Sequence, residues 1–139
     1  AFLRDWVVAR GVPAARVRVL HNPIDAAALG AAAGRRAAAR AALGFAEGEV
    51  VVGYVGRLQA NKGVLVLADA LARAAERAPG LRALWVGHGP DEGAVDAAVR
   101  ASGGRQVRRP WTDDVAGAYA ACDVLVLPSL WEEVFGRVL

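Results

Sequence analysis

Apolar and polar positions fall into blocks along this chain, and the spacing within each block switches between helical and extended. Phe2 to Ala9 has the spacing of a short amphipathic helix, closed by Gly11 and Pro13. Val17-Arg18-Val19-Leu20 predicts a short strand before the turn-rich His21-Asn22-Pro23-Ile24-Asp25. Ala31 to Leu43 predicts an Ala/Arg helix ended by Gly44. A regular alternation then begins. Val50 to Val55 is apolar on both faces, and Val64 to Ala78 places Leu67, Ala68, Leu71 and Ala75 along one side of a helix that ends at Pro79-Gly80. Leu81 to Val86 is a second strand, Asp91 to Ser102 a helix with acids in its first turn, and Gln106-Val107-Arg108 a weak third strand. Asp113 to Ala121 is a short helix with Asp113-Asp114 as N-cap and first-turn acid. Asp123 to Leu127 is a further strand, and a last helix opens near Phe135.

Strands separated by helices at this spacing predict βαβ units, hence an α/β fold with a Rossmann-like parallel sheet covered by helices on both faces. Ligands of such sheets sit outside the carboxyl ends of the strands, beside helix N-termini. The suggestive loops all fall there: Gly56 to Gly63, Gly87 to Pro90, Arg109 to Asp114, and Pro128 to Gly136.

Composition narrows the picture. A 139-residue chain with 55% hydrophobic and 22% charged residues is large enough for a real core and is not a disordered tail. The formal charge of +3 comes from scattered Arg, with no basic run interleaved with aromatics, so no nucleic-acid partner is expected. The single Cys122 reads as a small buried residue rather than a disulfide partner. No stretch reaches the roughly 18 apolar residues of a membrane span. The chain begins without Met inside a helical pattern and stops just after another helix starts, which reads as a fragment cut at both ends.

Sixteen of the seventeen basic residues are Arg, and the one Lys stands in Gly56-Arg57-Leu58-Gln59-Ala60-Asn61-Lys62-Gly63. Sparing a single Lys suggests a position that needs a compact ammonium rather than a guanidinium fork. Arg57 and Lys62 either place two cations on a diphosphate, with amides of the following helix start facing it, or are a surface Arg and a turn Lys. The loop is no Walker motif, since Lys precedes Gly and Val64 follows, and it lacks the three-glycine dinucleotide spacing. Gly87-His88-Gly89 allows a close backbone approach to a ligand, with His88 on phosphate or in solvent. Trp85 reads as core. Trp111, after Arg109 and Pro110, either stacks on a flat base or packs on its neighbours. Glu132 reads as a capping acid, whereas Glu133, just ahead of Phe135-Gly136, is placed to accept from sugar hydroxyls.

In this order, Gly56-Arg57, Lys62-Gly63, Gly87-His88-Gly89, Tyr119 with Asp123, Pro128-Ser129 and Glu133-Val134-Phe135-Gly136 resemble the donor-nucleotide half of retaining GT-B glycosyltransferases, specifically glycosyltransferase family 4. His21-Asn22-Pro23-Ile24-Asp25 is similar to the family's passage between domains. The resemblance implies the C-terminal half of a GT-B fold. Residues 1–22 would be a remnant of the N-terminal domain and the crossover, and residues 23–139 a nucleotide-sugar-binding domain truncated at its C-terminus. It implies sugar transfer, of the hexosyltransferase type, from a nucleotide-diphosphate-sugar with retention of configuration. Catalysis would rest on Arg57, Lys62 and Glu133. Gly56, Arg57, Lys62, Gly87, Gly89, Arg109, Trp111, Glu133, Phe135 and Gly136 would bind the donor.

The second Glu of the family's Glu-x7-Glu motif would fall at 141, beyond the chain. No cofactor or metal is expected: two fixed cations stabilise the departing diphosphate, and no carboxylate cluster has metal-ligand spacing. The acceptor would be a glycan or a lipid, in a bacterial, cytoplasmic protein. Any contact with the inner face of a membrane would fall to the missing first domain. The alternative is a non-catalytic nucleotide-binding or regulatory module of the same architecture, and a sugar-nucleotide epimerase or phosphorylase is a third reading.

Overall fold

A computed structural model of the chain describes residues 2–21 and 23–131. Its elements run α1 (Phe2–Val8), α2 (Ala26–Ala32), α3 (Arg36–Leu43), β1 (Val50–Val55), α4 (Val64–Arg77), β2 (Leu81–Val86), α5 (Glu92–Ala101), β3 (Gln106–Arg109), α6 (Val115–Ala121) and β4 (Val124–Leu125). The four strands form one parallel sheet in the order β3-β2-β1-β4. This is the α/β, Rossmann-like architecture that the alternation predicts.

Side chains of successive strand residues point to opposite faces, and here they feed two separate cores. Tyr54, Ala83 and Trp85 pack with Leu58, Val64, Leu67, Leu71 and Val95 beneath α4 and α5. Val51, Val55, Leu84 and Val86 pack on the other face with Phe45, Ala121 and the apolar sides of α3 and α6. Trp85 is fully buried, and its indole N–H donates to Gln106 Oε1 at 2.8 Å, so it is core as expected.

Three sequence expectations fail here. Val17–Leu20 forms no strand; residues 14–16 make a single 3-10 turn and Val19 and Leu20 stay exposed. Extended propensity needs a neighbouring strand to pair with, and none of the described strands pairs with this segment. The Ala31–Leu43 helix is two helices, α2 and α3, divided by a 3-10 turn at Ala33–Arg35. The third concerns α6, which starts two residues late, at Val115. Asp114 is its N-cap, accepting from Gly117 N at 3.0 Å, and Asp113 precedes the helix. The expected helix near Phe135 lies outside the described residues.

An ionic clasp closes the α3 face. Asp123 accepts from Val51 N at 2.7 Å and from Arg40 Nη1 at 3.2 Å, and it pairs with Arg36. Arg40 is only 3% exposed, and its guanidinium also donates to the carbonyls of Ala46 and Glu49. Arg35 grips Asp114 with two bonds at 3.0 and 2.9 Å.

Cys122 sits beside this clasp, its Sγ donating to Ala118 O at 3.2 Å. Burial, aided by the Asp123 carboxylate, pushes its thiol up to about 11. Its thiolate fraction near neutral pH is therefore very small. At pH 7.5 a disulfide reagent should label Cys122 at least about 100-fold more slowly than free glutathione. Comparable rates would show that the thiol is not held in this environment.

Candidate functional site at the strand carboxyl ends

Strand order locates the site. From β1 the chain steps through α4 and α5 to β2 and β3 on one side, then returns through α6 to β4 on the other side of β1. The direction of winding reverses between β1 and β4, and the carboxyl ends of that pair bound the crevice where such sheets take ligands. Arg57 and Lys62 stand in the loop at its β1 side.

That loop is tied down on both flanks. Toward β2, Gly56 N donates to Val86 O at 2.9 Å, Leu58 N to His88 O at 2.8 Å, and Asp91 N to Leu58 O at 3.1 Å. The Asp91 carboxylate leaves its own helix uncapped and accepts from Ala60 N at 2.6 Å. Beneath it, Tyr54 Oη donates to Arg57 O at 2.7 Å. Toward β4, Leu130 N donates to Asn61 O at 2.9 Å. A Cβ at Gly63 would lie 2.0 Å from Pro128 O, and Gly63 takes the left-handed φ of +73° that launches α4.

The Gly87-His88-Gly89 turn has a different cause from the one its sequence suggests. A Cβ at Gly87 would sit 1.9 Å from Gly56 O, and one at Gly89 2.0 Å from Leu58 O. The close approach these glycines permit is therefore to the neighbouring loop of the same chain. His88 serves that assembly too: its Nε2 accepts from Trp111 N at 3.3 Å and its Nδ1 lies 3.6 Å from Glu92.

Arg57 is exposed and makes no ion pair or hydrogen bond through its guanidinium among the described residues. Together with Gly56, Trp111, Ile24, Asp113 and Tyr119 it lines a cleft of about 520 Å³. Trp111, 53% exposed, also borders a second cleft of about 410 Å³ shared with Arg109, Leu84, Val86 and Ala118. Its ring thus stands between two open spaces. Lys62 lies at the other end of the loop, its Nζ 5.0 Å from the centre of the Trp131 ring. Glu133, Phe135 and Gly136 lie outside the described residues. The chain leading to them, Pro128 to Trp131, runs directly alongside Asn61 to Gly63.

Sequence reasoning missed Asp91, Tyr54 and Trp131. Asp91 reads as a helix-start acid, and nothing local shows its carboxylate reaching across to another loop. Trp131 becomes informative only when β4 is placed beside β1.

Residues 49–139 match the family described as "Glycosyl transferases group 1". The D-inositol 3-phosphate glycosyltransferase of Mycobacteroides abscessus is 38% identical over 133 residues, covering 89% of this chain and 28% of that protein. The 2-deoxystreptamine glucosyltransferase of Streptomyces kanamyceticus is 35% identical over 98 residues, covering 67% and 25%. Among solved structures, HepE of Anabaena in complex with UDP and glucose superposes with a TM-score of 0.77 at 27% identity, covering 97% of this chain and 38% of HepE. The chain therefore spans well under half the length of each of these relatives.

Proposed function

The chain belongs to the glycosyl transferases of group 1, and we propose that it forms the donor-binding part of an enzyme that moves a sugar from a nucleotide-diphosphate-sugar to an acceptor. The observation that carries this reading is the crevice between β1 and β4, bounded by a loop with a cation near each end. HepE, similar over nearly the whole chain, is a protein whose structure holds UDP and glucose.

Breaking a sugar–diphosphate bond leaves negative charge on the departing phosphate. Arg57 and Lys62 stabilise that charge, and the loop's bonds to its neighbours fix their backbone before the donor arrives. Glu133, with Phe135 and Gly136 beside it, contacts the donor sugar; this assignment rests on the family resemblance alone. Retention of configuration, hexosyl transfer, membership of family 4 and independence from metal ions belong to the same reading, as does an acceptor that is a glycan or a lipid. The donor base is read around Arg109 and Trp111.

In the full-length enzyme, Lys62→Ala is expected to cost about 1.5–3 kcal/mol of transition-state stabilisation, the range for a charge-assisted hydrogen bond. The measurement is kcat/KM with the nucleotide-sugar that calorimetry selects from uridine, guanosine and adenosine diphosphate-sugars. An unchanged kcat/KM refutes the role of Lys62. Binding of none of the three families favours a scaffold over a donor-binding domain.

A further inference from the structure

We propose that a cavity at the amino-terminal end of the sheet binds a small uncharged molecule with an apolar body and a carbonyl oxygen, which accepts from the side-chain amide of Gln106. The cavity measures about 240 Å³ and lies between α4 and α5, beside the first residues of β2 and β3. It is at the opposite end of the strands from the crevice between β1 and β4, so the two sites stand or fall separately.

The gap has its origin in the sequence. Ala72 and Ala75 line it from α4, and Ala98 and Ala101 line it from α5. Side chains this short leave the space above the start of β2 unfilled. In the same layer, Val64, Leu67 and Val95 close the packing around Trp85.

The floor is polar at one point. Gln106 is only 8% exposed and opens β3 on the side of the sheet that carries Trp85. The Trp85 indole can only donate, so the Gln106 atom that meets it at 2.8 Å is Oε1, and the other terminal atom is the amide nitrogen. Gln106 Nε2 donates to no group among the described residues. Nor is it one of the polar atoms shut off from open space without a partner, so its N–H groups are left to the cavity that the side chain lines. Ser102 Oγ accepts from Gln106 N at 3.1 Å and donates to Val99 O at 2.6 Å.

That imbalance selects the ligand. The side-chain acceptors at the floor, Gln106 Oε1 and Ser102 Oγ, already have donors, whereas the Gln106 amide has donors and no acceptor. An ordered water needs two to four polar partners, and its own hydrogens are poorly served here. A hydroxyl group meets the same difficulty. A carbonyl oxygen only accepts, and so it matches. At the mouth, exposed Glu76 and Arg105 carry opposite charges and form no ion pair among the described residues, which favours neither an anion nor a cation. The volume is below the roughly 300–1,000 Å³ of sites for drug-sized ligands, which suits a single ring or a short chain.

Cyclohexanone is the probe, titrated into the nitrogen-15-labelled full-length protein. The Gln106 side-chain amide signals are assigned by their loss in Gln106→Met or, if that variant does not fold, by their through-space cross-peak to the Trp85 indole proton. They are expected to move downfield saturably with cyclohexanone, and not to do so with methylcyclohexane, which has no acceptor. Ala72→Leu fills the cavity from an exposed helical position where Leu is nearly as favourable as Ala, so it should fold and weaken binding at least about 10-fold. Ala101→Leu, on the facing helix, should do the same. Amide signals that cyclohexanone leaves in place, or that move equally in both leucine variants, overturn the proposal. So does the same downfield movement with methylcyclohexane.

Discussion

Asp123→Ala is expected to destabilise the protein by about 2–3 kcal/mol, below the roughly 3–5 kcal/mol of a wholly buried ion pair because Arg40 is buried but Asp123 is partly exposed. Arg40 is almost wholly buried, and its Nε already lacks a partner. Without Asp123 its charge is left with the carbonyls of Ala46 and Glu49 alone. The Val51 amide loses its acceptor as well. Urea unfolding at pH 7 measures the loss, and a change under 1 kcal/mol would mean that Arg40 finds water instead.

The same clasp sets an acid limit. The hydrogen bond from Val51 N, then those from Arg36 and Arg40, hold the Asp123 carboxyl below its ordinary value. A carboxyl whose folded value is depressed contributes stability above its unfolded value, near 4, and that contribution fades as pH falls through the folded value. Glu49, lowered by its bond to Arg82, and Asp114, lowered by its bond to Arg35, act in the same direction. Stability should therefore hold above about pH 5 and fall below about pH 4, with a shallower fall in Asp123→Asn.

How much of this was legible depended on whether the cause was local. The central strands were, because a parallel strand covered on both faces must be apolar at consecutive positions, as Val50–Val55 and Leu81–Val86 are. Their loops followed from the strand ends. The break between α2 and α3 was not legible, since Ala and Arg both favour helix. It falls where Arg35 and Arg36 reach Asp114 and Asp123, partners 79 and 87 residues away. Nothing in the Ala/Arg pattern sets Arg40 apart from its neighbours, for the same reason. Its burial is defined by Asp123 and by carbonyls beyond its own helix.

At the candidate site the residue types were informative and their reasons were not. Gly87 and Gly89 stood out as glycines, but what they accommodate is the backbone of Gly56 and Leu58. Arg57 was correctly placed in the strand-to-helix loop, where it lines an open cleft. Lys62 was placed in the same loop, yet its neighbour Trp131 is 69 positions away in sequence. That proximity exists only because β4 pairs with β1 rather than extending the sheet beyond β3.

Gly63→Ala is the variant expected to couple stability and activity most strongly. The left-handed φ of +73° costs a residue with a side chain about 1–2 kcal/mol. The new Cβ would meet Pro128 O at 2.0 Å, and relieving such an overlap costs about 1–3 kcal/mol more. The oxygen belongs to backbone, so relief requires the 128–131 segment and the Lys62 turn to move apart. A shift near 1 Å in a group that holds the reacting phosphate can lower turnover about 100-fold. The full-length variant should thus lose about 2–5 kcal/mol in urea unfolding and about 100-fold in kcat/KM. Gly93→Ala is the matched control: it lies on α5 with nothing within 4 Å of its added Cβ. It should be neutral or slightly stabilising and leave kcat/KM unchanged. If Gly63→Ala behaves like Gly93→Ala, the β1 and β4 loops do not depend on this contact, and the crevice is not held in the form on which the phosphate reading relies.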